Sequence, residues 1–172
     1  MPGLTVRACG PLPDAGPPNE PRPALLLDRD GVLNVDHGYV CQTEDFEWIP
    51  GALDLLRWAD SEGFWTIVVT NQSGIGRGLY REDQFLELSR AMHEQVKIDL
   101  ITYCPHTPDD ACPARKPGTG MLEAADRLLG IDRSRSFLIG DKDSDVRAAE
   151  AFGVRSLLFP GGDVFQAFRN AY

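Results

Sequence analysis

Two carboxylates, Asp28 and Asp30, stand two residues apart, directly after the apolar run Leu25-Leu26-Leu27 and directly before Gly31. On an extended chain, residues i and i+2 point to the same side, so the pair shares one face. Two such charges repel unless a cation lies between them or one holds a proton. Hard oxygen donors of this kind suit Mg²⁺, and an Asp carboxylate can attack phosphorus to form an aspartyl-phosphate. A second acidic cluster, Asp141, Asp143 and Asp145 with Lys142 among them, follows another apolar run ending at Gly140. Between the two lie Thr70-Asn71-Gln72-Ser73-Gly74 and the cation pair Arg115-Lys116. Hydroxyl, amide and backbone N–H donors of the first kind can cradle a phosphate.

Groups so far apart in sequence meet only if the chain folds them to one edge. Apolar, β-branched runs predict strands over 24–28, 65–70, 100–103, 136–140 and 154–159. Apolar residues at 52, 55, 56 and 59, and again at 85, 88, 92 and 96, recur at helical spacing. They predict helices from residue 50 to Gly63 and over 81–97, and further helices are expected over 118–129, 144–152 and after the Pro160-Gly161-Gly162 break. Strand and helix alternate, which is the pattern of a doubly wound α/β fold with a mostly parallel sheet. In such a sheet the crevice lies at the carboxyl ends of the strands, where Asp28, Asp30, Thr70 and Asp141 would converge.

Composition narrows the function classes. The length of 172 residues predicts one domain, here 23–172, preceded by a Pro-rich arm over 1–22 expected to lack regular structure. Seventeen basic against 26 acidic residues leave a net charge of −9, which disfavours a nucleic-acid partner. No apolar stretch approaches the roughly 20 residues that span a bilayer. Residues 1–19 carry neither a basic start nor an apolar core, so no signal peptide and no membrane partner are expected, and the cytoplasm is the expected location. An anionic substrate would then need a locally positive site, built from a metal and placed cations. Only three residues are Lys, at 97, 116 and 142, and a chain that otherwise uses Arg places compact point charges at the last two.

With those residues in view, the chain resembles the haloacid dehalogenase (HAD) superfamily of phosphatases over about residues 24–160. The nearest likeness is to its D,D-heptose 1,7-bisphosphate phosphatase group, beside the histidinol-phosphatases. Asp28-Arg29-Asp30-Gly31-Val32-Leu33-Asn34, Thr70-Asn71-Gln72-Ser73-Gly74-Ile75, Arg115-Lys116-Pro117 and Gly140-Asp141-Lys142 with Asp145 match four motifs of that superfamily. The spacing leaves no room for a large cap domain. The resemblance implies Asp28 as nucleophile, Asp30 as general acid and then base, and Thr70 and Lys116 as holders of the phosphoryl oxygens. It implies Mg²⁺ on the Asp28 carboxylate, the Asp30 carbonyl and Asp141. Asp36, His37, Gly38, Tyr39, Asn71, Gln72, Ser73, Arg115 and Lys142 would line the substrate side, with Arg115 on a second phosphate.

The same likeness implies a zinc loop over 104–116. Cys104, His106 and Cys112 match its ligands, but Ala114 stands where the fourth is expected. Structural zinc is almost always four-coordinate. Asp109, Asp110, Cys41 or water are the candidates to complete the shell; otherwise the loop is a metal-free, proline-stiffened turn.

The expected activity is therefore Mg²⁺-dependent hydrolysis of a phosphate, the 7-phosphate, of D-glycero-D-manno-heptose 1,7-bisphosphate by a monomer. A histidinol-phosphate phosphatase is the alternative substrate reading. A polynucleotide 3′-phosphatase fits the net charge poorly, and a catalytically inactive HAD binding module would be expected to lack some of Asp28, Asp30, Lys116 and Asp141.

Overall fold

The computed structural model describes residues 4–8 and 20–172. Among the described residues, six strands form one sheet: β1 (Thr5–Ala8), β2 (Ala24–Leu27), β3 (Trp65–Asn71), β4 (Leu100–Cys104), β5 (Phe137–Gly140) and β6 (Arg155–Leu158). Their order is β1-β4-β3-β2-β5-β6, and every ladder is parallel. The helices are α1 (Ala52–Ser61), α2 (Ser73–Gly76), α3 (Glu82–Gln95), α4 (Gly120–Leu129), α5 (Asp143–Phe152) and α6 (Val164–Ala171).

Alternation along the central strands explains the three layers. Leu25, Leu27, Val68, Ile101 and Ile139 face one side and pack with Leu55 and Leu56 of α1, Phe85 and Leu88 of α3 and Phe168 of α6. Leu26, Ile67, Val69, Leu100 and Leu138 face the other, against Met121 and Leu122 of α4 and Ala149 and Phe152 of α5. Strands buried on both faces read as continuous apolar runs, as Leu25-Leu26-Leu27 does. Each such Leu contributes about 1.5–3 kcal/mol through burial.

From β2 the chain builds outward through β3 and β4, then returns to place β5 on the other side of β2 and β6 beyond it. The strand order reverses at β2, so the crevice opens beyond its carboxyl end. Asp28 is the residue directly after β2, and its N–H still bonds the Ile139 carbonyl of β5 at 2.9 Å.

The structure departs from expectation at the N-terminus. Within the expected arm over 1–22, Thr5–Ala8 forms β1, in register with Leu100–Tyr103 of β4. Leu4 and Val6 pack against the core cluster. An exposed β4 edge is a ready template for pairing, and this short segment covers it. Arg22 is also tied down: it bonds the Gly63 carbonyl and lies over the Trp65 ring at 3.9 Å. The remainder of the arm, residues 1–3 and 9–19 with Cys9, lies outside the described residues. Among the described residues no helix is long and apolar enough to cross a membrane.

Candidate active site

The carboxyl ends of β2 and β3 and the loop leading into α4 surround a cavity of about 760 Å³. Asp28, Asp30, Thr70, Asn71, Gln72, Ser73, Arg115, Lys116 and Lys142 all line it, with Asp36, Gly38 and Tyr39 from the loop after β2. His37 is not among the lining residues. Its ring is half-exposed and sits 3.6 Å from Glu47. Arg29, between the two acidic residues in sequence, lies over the Phe85 ring. There it is buried, and its Nη2 donates to both Asp30 oxygens, at 2.8 and 2.9 Å, and to the Val40 carbonyl at 2.6 Å. Asn34 Nδ2 adds a bond to Asp30 at 3.1 Å, so Asp30 is held in one orientation.

Lys116 is buried at the floor. Its Nζ lies 3.1 Å from Asp28 and 2.5 Å from Asp145, and donates to the Val69 carbonyl at 2.6 Å. Only a compact ammonium meets three acceptors so arranged. Burial opposes its charge, but Asp28 and Asp145 outweigh burial and hold its pKa above the ordinary lysine value. Burial pushes the Asp28 carboxyl up to about 6, with Lys116 pulling it down and Asp145 and Asp30 pushing it further up. Lys142 stands at the rim, 3.3 Å from Asp141 and 3.9 Å from Asp36.

Two of the residues expected on the substrate side spend their amides on the protein itself. Asn71 lines the cavity, but its Nδ2 donates to the Lys116 carbonyl and its Oδ1 accepts the Lys116 N–H, both at 3.1 Å. Its amide therefore staples the Lys116 segment to the end of β3. Gln72 is buried, and its amide is spent on protein groups, Asp30, Thr70 and Tyr80. Asp145, placed by the sequence in the fourth motif without a role of its own, is fully buried and accepts the Lys142 N–H at 3.1 Å in addition to Lys116. Its position four residues after Asp141, in the first turn of α5, fits that motif.

The metal groups can be tested against these donors. Oxygens of Asp28, Asp141 and Asp145 lie within 4.8 Å of one another, a hard donor set of the kind Mg²⁺ takes. Asp145 is engaged by Lys116 and Lys142, so Asp28 and Asp141 are the pair that suits a divalent ion. Gly31, at φ +88°, makes room: a Cβ there would lie 2.4 Å from Asp141 Oδ2. In the loop after β4, ligand atoms of Cys104, His106 and Cys112 also lie within 4.8 Å of one another. No fourth His, Cys, Asp or Glu joins them among the described residues. Asp110, one candidate, instead accepts the Thr107 N–H and hydroxyl at 2.7 and 2.8 Å. Cys41, another, packs against the cluster on the opposite side of the sheet. Ala114 is buried in the same apolar cluster as Cys104.

Comparison with known proteins agrees with this geometry. The family described as HAD-hyrolase-like matches residues 113–166. The D-glycero-beta-D-manno-heptose-1,7-bisphosphate 7-phosphatase of Photorhabdus laumondii is 45% identical, with 74% of each chain covered. The Escherichia coli (strain K12) protein of the same name is 42% identical, over 87% of this chain and 85% of that one. A crystal structure of D,D-heptose 1,7-bisphosphate phosphatase from B. bronchiseptica, complexed with magnesium and phosphate, superposes with a TM-score of 0.76 at 30% identity, covering 87% of both chains. At these identities and coverages, and with an Asp28–Lys116–Asp141 centre at the carboxyl edge of a parallel sheet, the chain belongs to the heptose-bisphosphate phosphatase group of the HAD superfamily.

Proposed function

We propose that this protein is a Mg²⁺-dependent phosphoric monoester hydrolase that removes the 7-phosphate of D-glycero-D-manno-heptose 1,7-bisphosphate through an aspartyl-phosphate on Asp28. The observation that carries it is the convergence of Asp28, Asp30, Thr70 and Lys116 on one cavity, with Arg115 on the same wall. Asp28, Asp141 and the Asp30 carbonyl would hold the Mg²⁺. When bound, the ion supplies positive charge that offsets the phosphoryl oxygens and the Asp28 carboxylate.

The chain's own residues do the rest. Asp28 attacks phosphorus, with Lys116 3.1 Å away to stabilise charge on the transferred oxygens. Thr70 donates its hydroxyl to one of those oxygens. Asp30 protonates the departing sugar oxygen, then takes the proton of the water that cleaves the aspartyl-phosphate. Arg115 is anchored by one nitrogen, Nη1, on the His106 carbonyl at 3.0 Å. A guanidinium carries five N–H donors, so others remain for the substrate's second phosphate. Gly38 and Tyr39 face the sugar, with Asp36 and Lys142 beside them. A monomer working in the cytoplasm is part of the same proposal.

The test is phosphate release with Mg²⁺ from the heptose bisphosphate and from histidinol phosphate. We expect strong preference for the bisphosphate. Arg115→Ala is expected to raise KM for it on the order of tenfold or more, the scale of a lost charge-assisted contact, with a smaller effect on kcat. Preference for histidinol phosphate would overturn the substrate and leave the catalytic roles standing.

Zn²⁺ on Cys104, His106 and Cys112, with water as the fourth ligand, completes the proposal. Such a site is weaker than one with four protein ligands. Ala114→Cys is therefore expected to slow zinc transfer to a chromogenic chelator by roughly tenfold or more. Equal release from both proteins, or no zinc in either, would argue against a zinc loop.

A further inference from the structure

Tyr80 lies outside every motif that pointed to the site, yet its buried phenol reaches the centre of it. Its hydroxyl donates to Gln72 Oε1. The Gln72 amide nitrogen donates in turn to Asp30 Oδ2 and to Thr70 Oγ1, each at 2.9 Å. The direction of this chain of bonds is set by its members. An ionised Asp30 only accepts, so the atom of Gln72 that faces it must be the N–H₂ end. Oε1 then faces Tyr80, which must donate. Thr70 Oγ1 accepts from Gln72, so its own proton is left to point elsewhere, and Thr70 lines the cavity.

Close packing keeps the phenol in place. A Cβ on Gly74 would lie 2.1 Å from Tyr80 Cε1, so any larger residue at 74 would displace the ring. Burial raises the phenol's pKa, with Arg29 pulling the other way, and the group stays a donor at neutral pH.

We propose that Tyr80, acting through Gln72, is a positioning residue that completes the hold of Arg29 and Asn34 on the acid–base carboxylate Asp30. It touches neither the phosphorus nor the leaving oxygen. Without its O–H, Gln72 Oε1 is left buried with no donor, and the amide turns or shifts away from Asp30 and Thr70. This inference rests on the reading of Asp30 as the group that protonates the leaving sugar oxygen.

The experiment separates positioning from general loosening by varying the leaving group. A sugar alkoxide leaves only with a proton, whereas p-nitrophenolate leaves without one. Values of kcat/KM, which read the steps up to leaving-group departure, are compared for heptose 1,7-bisphosphate and p-nitrophenyl phosphate. Tyr80→Phe is expected to lower kcat/KM for the sugar phosphate on the order of tenfold or more. It should leave the aryl phosphate within about threefold of wild type. Gln72→Met, which fills a similar volume but removes both N–H donors without adding a charge beside Asp30, should show the same split if Tyr80→Phe folds poorly. Equal losses on both substrates, or none, would overturn the proposal. Asp30→Asn is the control. If it shows the split and Tyr80→Phe does not, the positioning role fails alone. If Asp30→Asn shows no split, the acid role of Asp30 fails and takes this inference with it.

Discussion

Asp28→Asn is expected to lower phosphatase turnover on the order of 10⁴-fold or more, while the fold becomes no less stable at neutral pH. The first half rests on chemistry. The amide is not a nucleophile toward phosphorus and is a poorer partner for a divalent cation. The second half rests on burial. The Asp28 carboxyl has its pKa raised from 3.8 to about 6, chiefly by desolvation. A group that binds its proton more tightly when folded contributes stability that is full below its unfolded pKa and lost as pH rises through the folded one. Here that window runs from about 3.8 to about 6, so above it the charge on Asp28 costs stability. Asn removes the charge, and Lys116 keeps Asp145 at 2.5 Å as its partner. In metal-free buffer at pH 7.5 the Tm of the variant should equal or exceed that of wild type, and the difference should shrink as pH falls toward 5. Activity within tenfold of wild type, in a protein that melts normally, would remove Asp28 from the nucleophile's role.

Lys116→Ala is expected to fail in both respects. It leaves Asp28 and Asp145 buried and facing one another with no cation between them. Breaking a buried ion pair by deleting one partner costs about 3–5 kcal/mol. For a chain of this length that corresponds to a fall in Tm of roughly 6–20 °C. Phosphatase activity should fall at least 100-fold, the scale of a lost electrostatic stabiliser. Lys116→Arg should not rescue it. The guanidinium is planar and larger, whereas Nζ reaches Asp28, Asp145 and the Val69 carbonyl from one point. Calorimetry and phosphate release on the three proteins check this. Full activity in Lys116→Arg would mean that charge alone matters at this position.

The two expected outcomes differ because the two residues are held differently. Asp28 is the proposed nucleophile and has its pKa raised mainly by burial, whereas Lys116 is the buried cation facing both Asp28 and Asp145. Strain of this kind belongs to a catalytic centre, where the local arrangement serves the reaction rather than the fold.

The sequence alone determined the architecture and pointed to the candidate reacting groups. Leu25-Leu26-Leu27 running into Asp28 and Asp30, Trp65-Thr66-Ile67-Val68-Val69 into Thr70, and Phe137-Leu138-Ile139 into Asp141 identify strands by their apolar runs and a site by the polar residues at their ends. Both signals are local, because strand burial and side-chain alternation are properties of consecutive residues. The N-terminal strand escapes such a reading for the complementary reason. Thr5–Ala8 is too short and too exposed to show as a strand in sequence, and only the open edge of β4 makes it one.

The tertiary structure decided how the polar residues around the cavity are engaged. Asn71 and Gln72 carry the same amide as a ligand contact would, but one staples Lys116 and the other joins Asp30, Thr70 and Tyr80. His37 shares a segment with Tyr39 yet pairs with Glu47 outside the cavity. Tyr80 has no local signature at all; Ala114 marks the missing fourth ligand of the Cys104, His106 and Cys112 loop in the sequence, but that Asp110 turns to Thr107 does not show there. A hydrogen bond is short and directional, so its partner depends on atomic positions fixed by packing far away in sequence.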